Sequence, residues 1–111
     1  MPRGRFLSII GLYAVLSLAS LPLALGAVPP NRWYGFLRIP SIRNHSEAWY
    51  GINALGGRLF LSAMLICAAI NLLIYWKGSE IMHRMIVWIN AGMIFMSFWL
   101  ISLELINRFP G

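Results

Sequence analysis

Three long apolar segments limit the folds open to this chain of 111 residues. They run from Phe6 to about Ala27, from Leu59 to Trp76 and from Met85 to Ile106, and the only charge within them is Glu104. Each is close to the ~20 residues that an α-helix needs to cross a hydrocarbon core of ~30 Å. Each is also apolar around its whole circumference, so it has no face for water. The sequence therefore predicts an all-α membrane protein with three transmembrane helices.

Composition supports the same class. The chain is 59% hydrophobic and 11% charged, whereas an average soluble domain has about 25% charged residues. Its net charge of +6 does not form a stripe for nucleic acid, because the basic residues lie outside or at the edges of the apolar segments, where they face lipid headgroups. Membrane lipids are therefore expected partners, and nucleic acid is not.

The whole chain, residues 1–111, is predicted to form a single domain with one long irregular loop between helices 1 and 2. We predict helix 1 at about 6–27, a motif loop at 28–45, an interfacial helix continuing into helix 2 at about 46–77, and helix 3 at about 79–107. Pro29 and Pro30 stop the first helix, and Ser46 is the predicted N-cap of the next. Gly78 is predicted to end helix 2 as a C′ glycine, with Ser79 capping helix 3 across a short turn.

The first segment has two interpretations. A basic start and small residues around Ala24 and Ala27 resemble a secretory signal peptide, which is cleaved. The uninterrupted apolar stretch is nevertheless longer than the 7–15 residues usual for the core of a signal peptide. We therefore predict that it is retained as a transmembrane helix, and cleavage is the alternative.

Polar residues inside the predicted spans are few. Asn71 and Asn90 fall at the same depth on either side of the short turn, so we predict a hydrogen bond between them worth about 0.6–2 kcal/mol; a ligand or ion site is the alternative. Glu104 lies at the same end of the bundle as Arg58, its predicted partner across helices, and Arg108 is the i+4 alternative. Gly57 beside Arg58 is predicted to permit close helix packing.

The chain offers little for catalysis. It has no aspartate and a single cysteine, and neither of its two histidines has a partner at the spacing of metal ligands. We therefore expect no cofactor, no metal site and no enzymatic activity.

The sharpest motif follows the first helix: Pro29-Pro30-Asn31-Arg32-Trp33-Tyr34-Gly35, continued by Arg38 and Pro40 and then by Trp49, Asn53 and Gly57-Arg58. This pattern resembles the signature of the SdpI/YhfL family of small bacterial integral membrane proteins, and the resemblance covers nearly the whole chain. Two departures are Leu37, an extra residue before the arginine, and Ile39 in place of the usual threonine.

The resemblance implies a multi-pass protein of the bacterial cytoplasmic (inner) membrane, of toxin-immunity or signalling type, that binds a peptide, lipid or protein partner. The alternatives are an accessory subunit of a larger membrane complex and, ranked last, a small transporter; a homo-oligomer is also compatible. Contacts to the partner or to lipid are expected from Pro29, Pro30, Asn31, Arg32, Trp33, Tyr34, Gly35, Arg38, Pro40, Trp49 and Asn53. We further predict that Arg38 and Arg58 hold the loop over the bundle, with Glu104 as their counter-charge.

Overall fold

The structure is a computed structural model that describes residues 2–108. It is 80% helical, and the described part of the chain contains no strand. The helices are α1 (Arg3–Ala24), α2 (Pro40–Arg43), α3 (Ser46–Lys77), α4 (Glu80–Arg84) and α5 (Ile86–Arg108). By length and apolar composition, α1, α3 and α5 can each cross a membrane. The predicted all-α fold with three transmembrane helices is confirmed.

Helix α3 is the centre of the bundle. Both α1 and α5 pack against it, whereas no Cα atom of α1 comes within 8 Å of a Cα atom of α5 among the described residues. The core between them is formed by Tyr13, Phe60, Met64, Cys67, Ile101 and Leu105. Since the two outer helices meet mainly through α3, the side between α1 and α5 is left partly open.

The end of α1 differs from the prediction. The helix ends at Ala24, not at about Ala27, because Gly26 adopts a left-handed backbone with φ of 68°. The Gly26 N–H donates to the Leu23 carbonyl and the Ala27 N–H to the Pro22 carbonyl, which is the Schellman termination. Pro22 is accommodated inside the last turns of the helix.

Helix α3 ends at Lys77 as predicted, but Gly78 is its C-cap with an extended backbone (φ of −70°) and not a C′ glycine. Ser79 does cap the next helix, and its Oγ accepts the Met82 N–H at 3.4 Å. The third predicted helix is divided at Met85 into α4 and α5.

The bounds of α3 agree with the predicted 46–77, but its cap does not. Ser46 is the first residue of the helix, and the N-cap is His45, which makes no side-chain capping bond. Within the loop, the stretch predicted to be irregular contains the short helix α2, whose first residue is Pro40. A proline suits this position because its missing N–H would have no partner in a helix.

Candidate functional site

Asn31 organises the start of the loop. Its Oδ1 accepts the N–H groups of Trp33 and Tyr34 at 2.8 and 2.6 Å, and its Nδ2 donates to the carbonyls of Pro29 and Tyr34 at 2.8 and 3.0 Å. An Asn side chain that replaces backbone partners in this way stabilises a tight turn. The turn leaves the Trp33 side chain 87% exposed at the loop surface, and burial raises the pKa of Tyr34.

Arg38 closes this turn from the other side. Its Nη1 donates to the carbonyls of Arg32 and Trp33, both at 3.1 Å. Within residues 2–108, its Nε and Nη2 make no hydrogen bond. Arg38 therefore holds the loop and still has donors available. These bonds lie within the loop, so Arg38 braces the turn and does not hold the loop over the bundle with Glu104 as predicted.

Asn53, buried on α3, fastens the loop to the bundle. Its Oδ1 accepts the N–H groups of Phe36 and Leu37 at 2.5 and 3.0 Å. Its Nδ2 donates to the carbonyls of Leu37 and Trp49 at 3.1 and 3.2 Å. One side chain thus satisfies three backbone groups of the loop, at Phe36 and Leu37, and one carbonyl of its own helix. Leu37, the extra residue in the motif, takes part in two of these bonds.

Trp49 is the second fastening point. It is fully buried, and its indole N–H donates to the carbonyl of Val28 at 2.8 Å. Gly35 lies against the indole with φ of +156°, and a Cβ atom there would come within 2.8 Å of Trp49 Cη2. Glycine is therefore required at position 35 by both backbone and space.

Phe36 packs the loop against the helices. Its ring packs against Phe60 at 5.9 Å and Phe98 at 6.4 Å between centroids. A Cβ atom at Gly56 would lie 2.7 Å from the Phe36 ring, so that glycine makes room for it. Neither Phe36 nor Phe98 is among the contact residues predicted from the sequence, because their packing depends on how the helices assemble.

Gly57 brings α3 against the end of α1, since a Cβ atom there would lie 2.5 Å from the backbone nitrogen of Ala24. The Nε of Arg58 donates to the Ala24 carbonyl at 3.1 Å. This carbonyl is one of those that a helix C-terminus leaves without an intrahelical partner, and its negative end attracts a cation. The predicted packing role of Gly57 is confirmed.

The predicted pairing of Arg58 with Glu104 is wrong. Glu104 instead accepts from the Nε of Arg108 at 2.5 Å, one turn along its own helix. Because Arg58 is engaged by the end of α1, Glu104 is not a counter-charge for the loop. The local i+4 alternative is the one that the structure contains.

A cavity of about 260 Å³ lies beneath the loop, between α1 and α5; we call it the lateral groove. Its walls are mainly apolar and include Leu16, Ala19, Leu23, Phe60 and Phe98, with Arg38 at its loop end. Ala19 is exposed on one wall and Phe98 is 45% exposed on the other. Both walls of the groove are therefore accessible from outside the bundle.

The loop end of the bundle is rich in positive charge. Across the described residues, the ion pairs are Arg84–Glu80 and Arg108–Glu104, so Arg32, Arg38, Arg43 and Arg58 have no carboxylate partner. Within residues 2–108, the Nε of Arg43 is buried without a hydrogen-bond partner. Guanidinium groups without carboxylates favour an anion at this end of the protein.

The opposite end contains a second polar cluster. Asn71 Nδ2 donates to Asn90 Oδ1 at 2.7 Å and Asn90 Nδ2 to Asn71 Oδ1 at 2.9 Å, which confirms the predicted contact. Each amide also donates to its own helix, at the carbonyls of Cys67 and Ile86. Tyr13, which the sequence did not identify, donates its hydroxyl to Asn90 Oδ1. Since these groups satisfy one another, the cluster fixes the positions of the three helices.

No family model, curated protein or solved structure matches this chain. The resemblance to the SdpI/YhfL signature therefore depends on the motif residues described above. Within residues 2–108, no group of His, Cys, Asp and Glu side chains could hold a metal ion.

Proposed function

We propose that the chain is an SdpI-like integral protein of the bacterial cytoplasmic membrane, of toxin-immunity or signalling type. It acts by binding a partner at the loop end of the bundle. The observation that carries this proposal is the contrast within the loop, where Asn53 and Trp49 fix the backbone from below while Trp33 is 87% exposed above.

The energetics favour a binding role for such a loop. Fixing a residue's backbone costs about 1–2 kcal/mol, and here that cost is met by bonds within the free protein. A partner then binds a surface that is already ordered, which removes much of the entropic penalty of association. Tryptophan and arginine are the residue types that most often dominate binding surfaces, and the loop presents both.

Site-specific photo-crosslinking tests the proposal. A benzophenone amino acid is placed at Trp33 and, as the matched control, at Trp88, which is 73% exposed on α5 near the other end of the bundle. Both variants are expressed in bacterial membranes, illuminated and analysed by mass spectrometry. We expect an adduct specific to position 33.

Releasing the loop provides the second control. Asn53→Ala in the Trp33 crosslinking variant should abolish that adduct, because the surface is no longer held. Identical adducts from positions 33 and 88, or adducts unaffected by Asn53→Ala, would contradict recognition at the loop end.

An accessory subunit is the second candidate, favoured by the aromatic outer face of α5. Phe95 and Trp99 are stacked at 6.2 Å between ring centroids and are 64% and 55% exposed. Crosslinks from Trp99 to a larger membrane protein, with co-migration of the two in mild detergent, would favour this candidate. A chain that purifies without other subunits would exclude it.

A further inference from the structure

We infer that the lateral groove binds one acyl chain of an anionic phospholipid, with Arg38 contacting the phosphate. This inference rests on the proposed function and gives the chemical class of a ligand at the same end of the molecule. The headgroup and the chain are supported by separate observations.

The headgroup argument concerns the donors of Arg38. Its Nη1 is used by the carbonyls of Arg32 and Trp33, which fixes the guanidinium at the groove's loop end. Its Nε and Nη2 make no hydrogen bond within the described chain, and no carboxylate neutralises it. A planar guanidinium with free donors matches the geometry of a phosphate group.

The chain argument concerns the groove's shape. Leu16, Leu23, Phe60 and Phe98 give it apolar walls, and its volume is about 260 Å³. That is below the ~300–1,000 Å³ of pockets that enclose a complete small ligand. The groove can therefore take part of a ligand whose remainder stays outside, as with one chain of a two-chain lipid.

The direction of opening selects a lipid over a soluble anion. The groove lies between two helices that can each cross a membrane, and its walls are accessible from outside at Ala19 and Phe98. A lipid reaches it by lateral diffusion within the bilayer, with its phosphate at the height of the loop. A free phosphate ion would gain nothing from contact with the apolar walls.

The headgroup is tested by native mass spectrometry of the purified protein in a neutral detergent. The probes are dioleoylphosphatidylglycerol and dioleoylphosphatidylcholine, which share their chains and differ in net charge. Both lipids carry the phosphodiester, but the choline cation of phosphatidylcholine offsets its charge beside the guanidinium, so we expect phosphatidylglycerol to bind about tenfold more tightly. Arg38→Gln should remove this preference, and Arg3→Gln, the same charge change at the other end of α1, should leave it intact.

The chain is tested without touching the loop. Ala19→Phe fills the groove and should reduce phosphatidylglycerol binding about tenfold or more, since the steric block removes the apolar contacts. Ala14→Phe, an equal change at an exposed position of α1 outside the groove, should have little effect. Arg38 is unchanged in both variants, so the guanidinium available to the headgroup is the same.

Three results would overturn the inference: equal binding of the two lipids, equal effects of Ala19→Phe and Ala14→Phe, or full competition by inorganic phosphate. The last would identify a soluble anion as the ligand. A specific crosslink from position 33 together with any of these results would leave the proposed function standing. Selective lipid binding without a crosslink specific to position 33 would instead contradict the proposed function.

Discussion

The two ends of the central helix use the same residue type for different purposes. Asn71, fully buried, bonds to another side chain on the neighbouring helix. Asn53, 1% exposed, bonds to the backbone of the non-helical loop. At the turn end the polar groups satisfy one another and form a closed cluster. At the loop end, the buried amide fixes the loop backbone, and within the described residues arginine donors remain without a partner. That combination is the property expected of a recognition surface.

The largest effect should come from removing the amide that holds the loop. Asn53→Leu leaves the N–H groups of Phe36 and Leu37 without partners, at about 1–3 kcal/mol for each buried group. We expect the free energy needed to open the loop to fall by about 3 kcal/mol in total. Tryptic cleavage at Arg38 and Arg43 in detergent should therefore be much faster. Asn107→Leu, at an exposed position, should leave the cleavage rate unchanged; equal rates in the two variants would show that Asn53 does not hold the loop.

The second prediction concerns the glycine that joins α3 to the loop end of α1. Gly57→Ala places a Cβ atom 2.5 Å from the Ala24 backbone nitrogen, and overpacking of this kind costs about 1–3 kcal/mol. Thermal unfolding in detergent should show a lower transition temperature. Gly51→Ala on the same helix meets no atom within 4 Å, so it should be neutral or slightly stabilising. A Gly57→Ala protein as stable as Gly51→Ala would mean that the contact is looser than it appears.

The third prediction concerns the closed cluster at the turn end. Asn71→Leu and Asn90→Leu should each destabilise the protein by about 1–2 kcal/mol, because each leaves an amide without its partner in lipid. The double variant should cost less than the sum, with a coupling of about 0.6–1.7 kcal/mol. Strictly additive unfolding free energies would show that the two amides act independently. Loop cleavage by trypsin should be unchanged in all three variants.

The smallest effect is expected at Glu104. The Glu104 and Arg108 side chains are 45% and 59% exposed, and an exposed i+4 pair contributes about 0.3–0.5 kcal/mol. Glu104→Gln should therefore alter the transition temperature very little.

Arg58→Ala should speed loop cleavage, and its effect should be additive with Glu104→Gln because the two groups are not paired. Coupling between these changes would restore the ion pair that the structure does not contain.

The sequence could predict contacts that depend only on depth along the helix axis. A short turn places Asn71 and Asn90 at equal depth, so their contact could be derived from the rise per residue alone. The same reasoning failed for Arg58 and Glu104, which also share an end of the bundle. Depth does not determine which way a side chain faces, and each residue turns the helix by about 100°.

The contacts of the loop were harder to predict from the sequence, for a different reason. The motif identified Asn53 and Trp49, but not that they bond to the backbone of Leu37 and Val28. Such bonds depend on the path of a non-helical segment, which periodicity does not describe. Tyr13 was missed because the long loop leaves the position of α1 relative to the other helices undetermined.

The length of α3 has a mechanical consequence. Its 32 residues extend over about 48 Å, against a hydrocarbon core of about 30 Å. The turns that carry Trp49 and Asn53 are thus continuous with the turn that carries Asn71, which is roughly 27 Å from Asn53 at about 1.5 Å per residue. Loop and membrane span are therefore joined by one continuous helix. A partner that moves the loop thus acts directly on the helix that crosses the membrane.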